Sequence, residues 1–108
     1  MNRKELINYQ DPRGQVPFDR GIKKLRDGRA RSIVLARLDR LEMGNPGVHK
    51  SVGEGVKELI IDFGPGYRVY YGEDGMTIVI LLIGGDKGSQ DNDIKKAHGY
   101  WAEYKRRK

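Results

Sequence analysis

Apolar positions along the chain change their period twice. Leu6, Ile7 and Tyr9 give a weak strand signal, ended by the turn residues Asp11-Pro12-Arg13-Gly14. Pro17-Phe18-Asp19 opens a helix, since proline is tolerated in a first turn, where its missing N–H would have no partner. Ile22 and Leu25 form the apolar edge of that helix, and Asp27-Gly28 breaks it, with Asp27 placed to cap the next. Val34, Leu38 and Leu41 recur at i, i+4, i+7 and predict a second helix from about Arg29 to Met43 with one buried stripe. Arg29, Arg37 and Arg40 fall on roughly the opposite side. Gly44-Asn45-Pro46-Gly47 stops the helix. Two helices with a tight break predict an antiparallel helical hairpin.

After Pro46 the period becomes alternating. Val48–Val52 and Val56–Phe63 read as strands separated by Gly53-Glu54-Gly55. Gly64-Pro65-Gly66 leads into Tyr67-Arg68-Val69-Tyr70-Tyr71, a strongly β-prone run. Gly72-Glu73-Asp74-Gly75 reads as a hairpin turn. Met76–Ile83 is continuously apolar, as expected of a central strand covered on both faces. Gly84–Gly88 leaves that strand. Ser89 or Asp91 then caps a last helix, Asn92 to about Arg106, whose stripe is Ile94, Ala97, Trp101 and Tyr104. The predicted order is (β)αα–ββββ–α, an α+β domain spanning residues 1–108. Its consecutive strands are antiparallel neighbours because the connections are short.

Composition narrows the chemistry. With 108 residues the chain fits one core, and a site must be a surface groove on a single sheet or helix pair. Absence of cysteine excludes disulfides, thiolate metal sites and cysteine nucleophiles; the two histidines, His49 and His98, are too few for a structural zinc site. No metal or other cofactor is implied. There is no apolar leader at Met1–Leu6 and no membrane-spanning apolar run, so the expectation is a cytoplasmic protein without membrane contact.

Net charge is +6, unevenly spread. Residues 1–46 and 87–108 carry +5 and +4, whereas residues 47–86 carry −3. The cations lie in the helical flanks, which suits a polyanion such as RNA or an acidic protein partner; the plainer reading is a solvated basic surface. No phosphate-loop, dinucleotide or nucleophile-elbow pattern is present. What stands out is Tyr67–Gln90. Alternation places Tyr67, Val69 and Tyr71 on one face of a strand and Arg68 and Tyr70 on the other. A cation beside an aromatic suits a nucleotide, whose phosphate and base must both be held. Lys87, at the end of the central strand, projects towards whatever Arg68 faces.

Gly-Asn-Pro-Gly at 44–47, Gly-Glu-Gly-Val-Lys-Glu-Leu at 53–59, Gly-Pro-Gly-Tyr-Arg-Val-Tyr-Tyr at 64–71, Gly-Gly-Asp-Lys-Gly-Ser-Gln at 84–90 and Asp-Ile-Lys-Lys-Ala at 93–97 together resemble one family. It is the phage-derived, HigB-like addiction module killer proteins of the RelE/ParE toxin superfamily. The resemblance runs from Pro17-Phe18 to Tyr104. It implies a curled antiparallel sheet with an N-terminal helical hairpin and a C-terminal helix, and the toxin of a bacterial type II toxin–antitoxin system. RelE- and HigB-type relatives cut messenger RNA in the ribosomal decoding site, without metal; ParE-type relatives inhibit DNA gyrase instead. The implied partners are a cognate antitoxin, often of helix-turn-helix type, and mRNA on the ribosome.

For metal-independent cleavage, Arg68 is the candidate for stabilising the phosphorane and Lys87 for neutralising the phosphate or acting as base. Lys57, Tyr70, Gln90, Arg37 and Arg40 are candidate RNA contacts, with Tyr70 stacking on a base. Lys57 shares a strand face with Leu59, which weakens its claim. The chain departs from the family pattern at Glu58-Leu59-Ile60-Ile61, where Ile60 replaces an arginine. That removes one phosphate-facing charge and leaves the burden on Arg68 and Lys87. Three readings follow: a ribosome-dependent mRNA endoribonuclease, a ParE-like gyrase inhibitor without nuclease chemistry, or a degenerate toxin that only binds its antitoxin.

Overall fold

A computed structural model describes residues 3–108. The elements are β1 (Glu5–Asn8), α1 (Pro17–Lys23), α2 (Gly28–Glu42), β2 (His49–Ser51), β3 (Val56–Ile61), β4 (Tyr67–Asp74), β5 (Ile78–Asp86), a 3-10 turn at Lys87–Ser89 and α3 (Gln90–Arg107). The architecture is α+β: a five-stranded sheet of order β1-β5-β4-β3-β2, with helices on both faces.

Local chemistry explains most boundaries. Proline begins α1, and the Asp27 carboxylate accepts the Arg29 N–H at 2.9 Å, satisfying one free donor at the start of α2. Gly44, at φ 87°, follows α2 in the left-handed conformation that ends helices. Ser89 is the N-cap of α3 by position, yet it makes no side-chain cap bond; its hydroxyl donates to Asp93 Oδ2 at 2.6 Å instead.

The expected all-antiparallel sheet is corrected at one edge. The β2–β3, β3–β4 and β4–β5 pairs are antiparallel, but β1 runs parallel to β5, with Glu5 opposite Ile78 and Asn8 opposite Leu81. The hairpin rule binds only strands joined by short turns, and 69 residues separate Asn8 from Ile78. The sheet is therefore mixed. Two strands also run further than glycine punctuation suggests. β4 continues through Gly72, because the Trp101 ring lies where a Cβ would sit, 2.5 Å away. β5 continues through Gly84 and Gly85.

Alternation sorts the core onto two faces. Leu59, Ile61, Val69, Tyr71, Val79 and Leu81 pack with Phe18 of α1 and Ala30, Val34, Leu38 and Leu41 of α2. Val56, Tyr70, Ile80, Leu82 and Ile83 pack with Ala97 and Trp101 of α3, which Ile94 and Tyr104 join. A bulge in the β4–β5 pairing, where Tyr70 opposes Ile83 but Tyr71 opposes Leu81, leaves Leu82 and Ile83 both in the α3 cluster. Among the described residues no helix is long and apolar enough to cross a membrane.

Candidate functional site

The Gly64-Pro65-Gly66 turn closes one end of the β3–β4 hairpin. Its Gly66 N–H reaches Phe63 O, and its Gly66 carbonyl accepts the Lys87 N–H, both at 2.9 Å. Gly66 adopts φ 87°, and a Cβ there would lie 3.4 Å from Arg68 Nη1 and 3.6 Å from Lys87 Cβ. Glycine thus lets the turn pass between two cationic side chains. Arg68 and Lys87 line one cavity of about 410 Å³, with Ile60, Val48 and Asp62 on its other walls.

Beneath that cavity, on the α3 side of the sheet, lies a buried carboxylate. Glu58 is 0% exposed, opposite Tyr70 across the β3–β4 ladder. Its Oε2 accepts from Gln90 Nε2 at 2.8 Å and stands 3.9 Å from Arg68 Nε; Lys50 Nζ stands 3.8 Å from Oε1. The Arg68 side chain is 11% exposed, and its Nη1 donates to the Tyr67 carbonyl at 3.0 Å. Burial, and then the neighbouring Glu58 carboxylate, push the Tyr70 phenol far above its ordinary pKa, so it stays protonated. The hydroxyl is close to Glu58 but outside hydrogen-bond geometry, and neither it nor Glu58 Oε1 has a hydrogen-bond partner among the described residues. Arg68 Nε makes no hydrogen bond among the described residues, so the carboxylate holds the guanidinium by charge, and the Nη1 bond to Tyr67 O orients it.

The structure therefore brings together Arg68, Lys87 and the substituted position Ile60, and ties Gln90 to them through Glu58. It does not gather the remaining candidates. Tyr70 has 0% exposure, so a base cannot stack on its ring. Lys57 projects on the opposite face, with Leu59 and Ile61, and pairs with Glu73 at 2.6 Å. Arg37 donates to the carbonyls of Ile60, Pro46 and Val48 at 2.7, 2.8 and 3.0 Å, clamping α2 to the loop before β2 and to the end of β3. A guanidinium so engaged has no fork left for RNA. Burial first, then the nearby Arg40, lowers its pKa. Arg40 is exposed on α2, away from the cavity lining. His49 Nδ1 lies 2.8 Å from Gly47 O, and His98 Nε2 lies 2.9 Å from Val52 O, a contact that ties α3 to the β2–β3 turn.

Glu58 is the residue that sequence reasoning missed. Its signal was present: in Val56–Ile61, alternation places it between Val56 and Ile60 on an inward face. Among the described residues, no group of three or more acidic or histidine side chains is placed to hold a metal ion.

No model of a known protein family matches the chain, and no solved structure matches it. One relative is an uncharacterized protein of Haemophilus influenzae, 51% identical over 82 residues that cover 76% of this chain and 83% of the relative. At that identity and coverage, the chain belongs to the same family as the Haemophilus influenzae protein.

Proposed function

We propose that this chain is the toxin of a type II toxin–antitoxin pair and cuts mRNA on the ribosome. The observation that carries the reading is the convergence of Arg68 and Lys87, picked out by motif, on one cavity. In that cavity the 2′-hydroxyl of one nucleotide attacks the adjacent phosphate in line. Its proton leaves to a base as the new P–O bond forms. The P–O bond to the 5′-oxygen breaks, and that oxygen takes up a proton, giving a 2′,3′-cyclic phosphate and a free 5′-hydroxyl. Arg68 offers paired donors to the phosphorane from a guanidinium held by Glu58, and Lys87 neutralises the phosphate or takes the proton. The arrangement of two N-terminal helices on one face and a long C-terminal helix on the other agrees with the RelE/ParE-like fold that the sequence motifs imply. The reading includes a cytoplasmic location and neutralisation by a cognate antitoxin of helix-turn-helix type.

Ile60 favours a second reading. It presents an aliphatic wall to the cavity where the family pattern places a cation, as a toxin without nuclease chemistry would, whether a gyrase inhibitor or a chain reduced to antitoxin binding. Growth after induction separates them. The nuclease reading expects arrest that Arg68→Ala with Lys87→Ala relieves, and a double variant as toxic as the parent would refute the site. Toxicity appearing only with Ile60→Arg would favour the degenerate toxin.

A further inference from the structure

The Arg68–Lys87 cavity offers two cations, enough for one phosphate but not for the strand on either side of it. The cations lie in the two flanks of the sequence, and the fold brings those flanks together elsewhere. A second cleft, also about 410 Å³, opens between α1 and α3. Arg20 and Lys24 line it from α1 and its C-cap, and Lys96 from α3. All three are exposed, and none forms a salt bridge among the described residues. The floor is different. Asp86 and Asp93 lie there, held by Ser89: its N–H reaches Asp86 Oδ1 at 3.1 Å and its hydroxyl reaches Asp93 Oδ2 at 2.6 Å. Gly85 makes room for this, since a Cβ would fall 2.1 Å from Asp93 Oδ2.

The two cavities are lined by neighbouring residues. Asp86 lines the cleft and Lys87, its chain neighbour, lines the first cavity; Gly85 lines the cleft and is the ladder partner of Arg68. We propose that this cleft carries the sugar–phosphate backbone of the RNA strand that flanks the segment held by Arg68 and Lys87. The inference rests on the RNA-cutting reading and adds the path of the strand. A cationic rim over an acceptor floor selects the ligand class. An acidic peptide would bring its carboxylates against Asp86 and Asp93. RNA presents phosphates to Arg20, Lys24 and Lys96, and its 2′-hydroxyls and base amino groups are donors for the floor.

The test uses a fluorescein-labelled single-stranded RNA in the absence of ribosomes, where a ribosome-dependent nuclease does not cut it, with affinity read by anisotropy across a salt series. Each lost phosphate contact lowers the log–log salt slope by about 0.7 for single strands, so Arg20→Gln/Lys24→Gln/Lys96→Gln should flatten it by about 2. A control of equal charge change on exposed cations lining neither cavity, Arg3→Gln/Arg29→Gln/Arg106→Gln, should leave it nearly unchanged. Circular dichroism checks that both variants fold; the single substitutions, at about 0.7 each, replace the triple if it does not. Equal flattening by both triple variants, no flattening by the cleft variant, or no binding by the parent chain would overturn the proposal. The nuclease reading is judged separately, by whether the parent chain cuts transcripts in cells.

Discussion

Beneath α1 and α2 the sheet presents Leu59, Ile61, Val69, Tyr71, Val79 and Leu81 to an apolar helical surface, and a guanidinium at its margin, Arg37, is occupied by main-chain carbonyls. Beneath α3 the same strands present Val56, Tyr70, Ile80 and Leu82, but also Glu58 and Arg68. Burying a carboxylate costs several kcal/mol unless it is paired, on the order of the whole contribution of a large apolar side chain. The first face needs no such group to hold together. Retaining one on the second makes sense where a guanidinium must be held in place beside an open cavity. The difference separates a face that supplies stability from one that carries the site.

The sharpest way to break that division is to cut each face in turn. Leu59→Ala, on the α2 face, should cost about 3 kcal/mol of unfolding free energy in a urea titration, because Leu59 is fully buried and the cavity collapses only in part; a loss under about 1 kcal/mol would mean that this face is not the main support. The next effect is alkaline. Burial, then Glu73, push the Tyr71 phenol up to about 12, against a small opposing effect of Arg37. A folded pKa above the unfolded one gives stability that is complete below pH 10 and lost as pH rises towards 12. The urea midpoint should therefore hold level to about pH 9 and then fall, with about 2–3 kcal/mol lost through Tyr71. A Tyr71→Phe chain whose urea midpoint falls above pH 10 as steeply as the parent's would contradict this. Glu58→Gln should differ from Leu59→Ala in where the loss falls: about 2 kcal/mol of stability, because Arg68 is left largely buried without its anion, with about tenfold weaker growth arrest, against a larger stability loss and little change in arrest for Leu59→Ala. Equal losses in both would erase the contrast between the faces. Smallest of all, Lys57→Ala breaks a half-exposed ion pair with Glu73 and should change stability by about 0.5 kcal/mol and toxicity not at all.

Periodicity carried most of the fold. The Val34–Leu38–Leu41 stripe, the Asp27 cap and the Ile94–Ala97–Trp101 stripe all lie where their spacing places them. The parallel pairing of β1 was illegible because nothing in Leu6-Ile7 says which distant strand it joins. Gly72 and Gly85 mislead for a related reason: glycine marks turns in sequence, but here Trp101 and Asp93 come too near for a side chain. Alternation and the strand end were enough to bring Arg68 and Lys87 to one place. Alternation turns Glu58 inward, but its complete burial and that of Tyr70 depend on where α3 comes to rest, and Arg37's acceptors lie up to 23 residues away, beyond the reach of local pattern.

The most direct test of the nuclease reading is to map transcript 5′ ends after brief induction of the parent chain and of Arg68→Ala/Lys87→Ala, with and without translating ribosomes. New 5′-hydroxyl ends inside coding regions, dependent on translation and lost in the double variant, are the expected result. Growth arrest with transcripts intact would contradict it.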